Sequence, residues 1–429
     1  MRGSAPRANF SREISHMNHS QIRQQFPIFA RDTLGTIFFD GAAGTQVTQR
    51  VIDKMADAMI DGNANLGGYF PTSVKAMRKV ANAREAFKDF FNARDAREVV
   101  FGQNMTTLTF AFSRAITRTL QAGDEIVLTR MDHDANISPW LLSARDHGLV
   151  IRWIDFDPKT CEYDLSNLDE IITPRTKVLA INYASNITGT INDIAAPIRR
   201  AKEVGALVYV DAVQYAPHGV IDVQELGCDF LVCSAYKFYG PHIGILWGRQ
   251  ELLEQLEFYK VRPASNAAPD KFETGTKSRE TIAGALAAIE HFEWIGETFG
   301  DATAASSRRD KIVAGMAFTK HYEDELVARA IEGLSVFRGL TIHGITAKDR
   351  LDRRVPTISF SVAGADPAKI AQSLAEVNVN VWPGHSYGLE PVERLGLTNK
   401  GGVVRVSFAQ YNTIDEVEVF LDHMRRILA

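Results

Sequence analysis

Between residues 98 and 248, short apolar runs alternate with amphipathic stretches. The runs are 98–102, 124–130, 150–157, 177–185, 206–213, 230–237 and 244–248. Each has strand length and is rich in Val, Ile, Leu and Phe. The spacing predicts helices over 107–120, 137–148, 194–204 and 223–227. This alternation predicts parallel strands joined by crossover helices. Strands this uniformly apolar fit a sheet covered on both faces. After residue 280 the pattern changes. A helical stretch, 282–332, reads as a pair of helices. Strands over 357–362 and 377–382 flank a helix at 366–374, and a strand at 403–408 precedes a last helix at 414–427.

The expected fold class is therefore α/β. A large, mostly parallel-sheet domain is expected over 41–295 and a smaller α+β C-terminal domain over 296–429. Residues 17–40 are expected to form an N-terminal segment that packs with the small domain. The first sixteen residues are polar and lack an apolar signal-peptide core. Ser15-His16-Met17 has the look of a cloning junction, so 1–16 are expected to be a tag or a disordered tail.

Composition narrows the function. The chain has 429 residues, 45% hydrophobic and 23% charged, which disfavours a disordered or fibrous protein. A net charge of −4 gives no reason to expect a nucleic-acid partner. No apolar run approaches the roughly 18–20 residues of a membrane span, so no membrane partner is expected. The cysteines Cys161, Cys228 and Cys233 are too few and too scattered for a disulfide framework, which suits a reducing, cytoplasmic setting. No Cys/His zinc spacing occurs, and no metal is expected. Dinucleotide, P-loop, HExxH and GxSxG motifs are also missing. The site must then be read from polar residues where strands end, because open parallel sheets bind ligands beyond their carboxyl ends.

The strand at 206–211 runs into Asp211. A carboxylate there is costly without a partner, although a helix cap or a surface ion pair would explain it equally well. The strand at 230–234 runs into Ser234-Ala-Tyr-Lys237. A lysine among apolar groups has a lowered pKa and can attack an aldehyde; a solvated turn lysine is the plainer reading. Together the pair matches what pyridoxal phosphate needs, a lysine for the Schiff base and an acid beside the pyridine nitrogen. Other strand ends carry suitable groups. His133 could stack on the ring, Asn186 could bond its hydroxyl, and Gln214 follows Asp211 by three residues. The segment from Asn104 to Thr107 opens a helix whose backbone N–H groups could hold a phosphate.

With these residues in place, the chain resembles fold-type-I pyridoxal phosphate enzymes of the class V aminotransferase group. It is most similar to the cysteine desulfurase and selenocysteine lyase branch. The matching stretches include FFDGAAGTQ, MDHDANISPW, NYASNITGTI, VDAVQYAPHG, FLVCSAYKFYGPHIGILWG, FETGT, PGH and VRVSFAQYNT, across about residues 36 to 428. The resemblance implies pyridoxal 5'-phosphate as cofactor, an amino acid as substrate, and a homodimer with shared sites. It makes Lys237 the Schiff-base lysine and catalytic base, Asp211 the pyridinium partner and His133 the stacking imidazole. Asn186 and Gln214 would contact the ring substituents. Met105, Thr106, Ser234 and Tyr236 would lie about the phosphate, with Thr276 reaching the phosphate of the neighbouring subunit. Arg405 would clamp the substrate carboxylate, and His385, Asn186 and Tyr387 would line the substrate pocket.

Three positions depart from the desulfurase pattern. Tyr387 stands where the resemblance implies a persulfide-forming cysteine. Trp382 replaces an arginine, and Tyr236 replaces the histidine before the lysine. Desulfuration by persulfide transfer needs a thiol nucleophile, whereas Cα deprotonation needs only cofactor and base. Elimination of a β-substituent, most simply at a C–S bond, is the favoured expectation. Transamination and epimerisation stay open, and so does a non-catalytic, cofactor-binding regulatory module. The retained Lys237, Asp211 and Arg405 weigh against that last alternative.

Overall fold

The computed structural model describes residues 16–429, so all but the last residue of the expected tail lies outside the described residues. Seven strands form the central sheet: β1 (Val99–Gly102), β2 (Glu125–Thr129), β3 (Val150–Ile154), β4 (Thr176–Asn182), β5 (Leu207–Asp211), β6 (Phe230–Ser234) and β7 (Gly244–Gly248). Their spatial order is β1-β7-β6-β5-β4-β2-β3. Strands β2 to β6 run parallel to one another, whereas β7 runs antiparallel to both β1 and β6. The sheet is thus mostly parallel, as expected, with β7 the antiparallel exception. The link 235–243 is too short for a parallel crossover, which takes a dozen residues or more.

Side chains along each strand alternate between two cores. Val127, Leu179, Val208 and Leu231 enter one, and Leu128, Ala180, Tyr209 and Val232 enter the other. All of these are at most 1% exposed, so both faces of the sheet are covered. Burial on both faces leaves the strand ends as the open place for polar chemistry.

Helices α1 (Met105–Thr117) and α2 (Ser138–His147) follow β1 and β2. After the sheet come α3 (Arg279–Thr298) and α4 (Arg308–Leu334). Helix α4 opens on a capping box, Ser307 with Asp310. It then passes through both halves of the molecule. Ile312 and Met316 lie in the large core, while Leu326, Val327, Ala330 and Leu334 lie in the small one. The transition between the two cores therefore falls inside this helix.

The small core packs on a four-stranded antiparallel sheet of order β8-β9-β11-β10. Its strands are β8 (Leu340–His343), β9 (Thr357–Val362), β10 (Trp382–Gly384) and β11 (Val403–Ser407). Strand β8 was not expected, since a four-residue edge strand with polar Thr341 and His343 has too few apolar positions to register. The single strand expected at 377–382 is two pieces. Val379–Asn380 pairs with Ile37–Phe38, and β10 pairs with β11. The last helix, α5 (Ile414–Ile427), is held by a second capping box, Thr413 with Glu416.

The N-terminal segment serves both cores. Ile22, Phe26 and Phe38 enter the large one, and Ile37 and Phe39 enter the small one. Arg23 pairs with Glu416 at 2.7 Å.

Helices α3 and α4 touch backbone to backbone. A Cβ on Gly315 would sit 2.1 Å from the carbonyl oxygen of Phe292, and one on Gly296 would sit 2.0 Å from that of Lys311. Gly315→Val should therefore destabilise the protein by about 2–3 kcal/mol, the upper range for overpacking. A lowered denaturant midpoint against wild type checks this.

Candidate active site

The carboxyl ends of β4, β5 and β6, with the start of α1 and the turn after β2, enclose one small cavity. Met105, Thr106, His133, Asn186, Asp211, Gln214, Tyr236 and Lys237 all line it. A wider cavity of about 960 Å³ continues outward from Lys237 and His133 past His385 and Tyr387 to Arg405. The structure thus gathers eleven of the thirteen expected residues into one connected space. It does not bring in the other two. Ser234 is fully buried, and its hydroxyl accepts the Met105 backbone N–H at 3.0 Å, which anchors the start of α1. Thr276 is exposed and lies outside both linings.

Lys237 ends a short 3-10 turn directly after β6. Its Nζ donates to the carbonyl of Ala42 and lies 4.9 Å from the centre of the Tyr236 ring. Burial, then the neighbouring Arg405 charge, lowers its pKa to about 7, so the free amine is accessible near neutrality. Asp211 is 5% exposed and accepts the Val213 N–H at 2.8 Å. Burial raises its carboxyl to about 6. A cationic partner would draw that proton off again, as a pyridinium nitrogen does.

His133 caps the turn after β2, its Nδ1 accepting the Ala135 N–H at 3.0 Å, which leaves the proton on Nε2. Burial, then Lys237 and Arg405, hold the imidazole neutral with a pKa lowered to about 3. One face of its ring stacks on Tyr387, with centroids 5.5 Å apart at 20°. Gln214 donates to the Ala42 carbonyl at 2.8 Å.

Arg405 projects from β11 and is 5% exposed. It donates to the Asn186 carbonyl at 3.0 Å. Burial lowers its pKa to about 10, and the carboxylate of Asp40 counters that shift. The Asn186 amide donates to the Ser386 carbonyl at 2.9 Å, while its Oδ1 is buried without a hydrogen-bond partner. His385 accepts the Tyr387 N–H at 3.1 Å. Ser386 and Tyr387 both adopt positive φ, 44° and 58°, a cost accepted where surrounding contacts over-determine a turn.

Sequence reasoning missed several contributors. Ala42 acts through its backbone, which no side-chain motif reveals. Asn182 ends β4 and lines the inner cavity. It ties strand ends together, donating to Met131 at 3.0 Å and to Ala184 at 3.3 Å. Asp132 accepts from Asn136 at 2.7 Å and from the Asn182 N–H at 3.2 Å. Burial holds its carboxyl well above the usual range. Asp132 adjoins His133 in sequence, and a buried acid there could have been flagged. Asp40 sits in FFDGAAG, but its nearness to Arg405 needed the fold.

The sequence profile of the Aminotransferase class-V family matches residues 37–420. The chain belongs to that family. A probable cysteine desulfurase of Streptomyces coelicolor is 34% identical over 95% of this chain and 96% of its own. An aminotransferase-like protein of Gibberella zeae is 32% identical over 96% and 99%. Among solved structures, a cysteine desulfurase from Thermococcus onnurineus superposes with a TM-score of 0.83 at 27% identity, covering 95% of this chain and 98% of that one. The chain is a pyridoxal-phosphate-dependent enzyme of the class V aminotransferase, cysteine desulfurase-like kind.

The cavity suits that cofactor. It offers a buried amine, a carboxyl open to a cationic partner, an unpartnered amide oxygen and the start of a thirteen-residue helix. Among the described residues no helix is long and apolar enough to cross a membrane, and no group of three or more His, Cys, Asp or Glu side chains could hold a metal.

Burying the ammonium opposes folding while Lys237 is charged. Because its folded pKa (about 7) lies below its ordinary value of 10.5, this opposition is full below pH 7 and fades as pH climbs toward 10.5. In the cofactor-free protein, Lys237→Met should raise Tm at pH 6, with the gain shrinking between pH 7 and 10. Thermal melts across pH check this.

Proposed function

We propose that this class V family member is a lyase that breaks a C–S bond of an amino acid by β-elimination without a persulfide-forming cysteine. One observation carries the reading: a buried amine and a carboxylate clamp share a cavity that no thiol lines. All three cysteines are buried, and burial pushes Cys161 and Cys228 up to about 12 and Cys233 upward as well. A thiol held protonated is a poor nucleophile.

Lys237, Asp211, Asn186 and the start of α1 would hold pyridoxal phosphate. When bound, that cofactor supplies an electron sink for the pair left at Cα. Lys237 takes the Cα proton, its lowered pKa suiting it to act near neutrality. Arg405 holds the substrate carboxylate and fixes which bond faces Lys237. Neutral His133 provides a flat, uncharged ring face. Thr276, exposed and outside its own chain's cavity, supports a homodimer in which it serves the partner's phosphate. Unpaired cysteines support a reducing, cytoplasmic setting.

A panel of amino acids on the holoenzyme tests the reading. Pyruvate, ammonia and thiol in equal amounts from cysteine thioethers are expected. Keto acid formed only with an added amino acceptor would replace the proposal with transamination, and Cα exchange alone would replace it with epimerisation. Lys237→Ala should abolish turnover and the visible band of covalently held cofactor. Arg405→Gln should raise KM about ten- to hundredfold, the loss of a charge-assisted hydrogen bond.

A further inference from the structure

Resting on that β-elimination reading, we infer that the substrate class is S-substituted cysteines whose sulfur carries an apolar or aromatic group. The wider cavity has two chemically distinct ends. At the inner end stand Lys237, Asn186 and Arg405, the groups that engage the amine, Cα and carboxylate of any amino acid. The outer wall is mainly apolar: Phe110 from α1, Leu142 from α2, and Trp382 and Tyr387 from the small domain, beside Asp134 and Ser138, whose hydroxyl donates to the Asp134 carboxylate at 2.7 Å.

Leu142, Trp382 and Tyr387 place apolar surface at the mouth of a site that otherwise binds charged groups. The Tyr387 part of the wall is also fixed in place. The turn carrying Tyr387 is pinned by the Asp134 N–H, which donates to the Tyr387 carbonyl at 2.8 Å, and by the Asn186 amide on Ser386. Its ring is held against His133. Held rings lose little freedom when an apolar group settles on them, so they add affinity cheaply. The wall and the amino-acid end belong to one continuous cavity, so the occupant is a single molecule with a zwitterionic head and an apolar tail.

The reaction balances without an oxidant. The Cα–H proton passes to Lys237, and the Cβ–S bond breaks with its electron pair leaving on sulfur. The thiolate takes up a proton to leave as R–SH. The remaining 2-aminoacrylate adds water to give pyruvate and ammonium.

Holoenzyme is assayed with S-benzyl-L-cysteine and S-methyl-L-cysteine, measuring both turnover and substrate dissociation constants from the change in cofactor absorbance. The benzyl substrate should bind at least tenfold tighter and show at least tenfold higher kcat/KM. Leu142→Asp and Trp382→Ser should each move that preference toward one. Equal binding, a preference for the methyl compound, or a preference untouched by both variants would overturn the inference. Tighter benzyl binding with no pyruvate or thiol from either compound would uphold the apolar wall while sinking the elimination reading.

Discussion

One carbonyl oxygen, that of Ala42, holds the halves of the site in register. It accepts from both Lys237 and Gln214, using both lone pairs of a single peptide oxygen. The N–H of the same residue donates to the Ser407 hydroxyl at 2.7 Å, two positions along β11 from Arg405. The reactive amine and the carboxylate clamp are thus referenced to one residue, although they belong to different halves of the molecule. Neighbouring contacts stiffen this strap. The Thr45 N–H donates to the Tyr236 carbonyl at 3.0 Å, and its hydroxyl accepts the Tyr239 N–H at 2.8 Å. Gly44 leaves room for the Tyr236 ring, which would lie 3.3 Å from any Cβ there.

Desolvation sets the charge state of everything inside. It acts in opposite directions on acids and bases, bringing Asp211 up and Lys237 down until their pKa values nearly meet. Asp40 follows the same logic beside Arg405: burial raises it to about 6 while the guanidinium opposes the rise.

The large sheet was legible in the sequence because its strands are buried on both faces and so nearly free of polar interruptions. The site residues were legible for the complementary reason, since polar groups such as Asp211 and Lys237 stand out where such strands stop. Elements ruled by neighbours rather than by their own composition were not legible. The direction of β7 follows from the length of the link before it, and β8 is too short and polar to announce itself. Ser234 stands out by its position at a strand end, but the anchoring of the Met105 amide by its hydroxyl needed the fold. The role of Ala42 belongs to its backbone, and alanine carries no sign of it.

Helix α4 has a consequence for how the molecule can come apart. Its first turns complete one core and its last turns complete the other. Severing the chain ahead of it would strip the large half of Ile312 and Met316, and severing behind it would strip the small half of Leu326 and Leu334. Neither half owns a complete interior. The protein is in this sense a single cooperative unit with two lobes, and the lobe carrying Arg405 cannot melt away without loosening the one that carries Lys237.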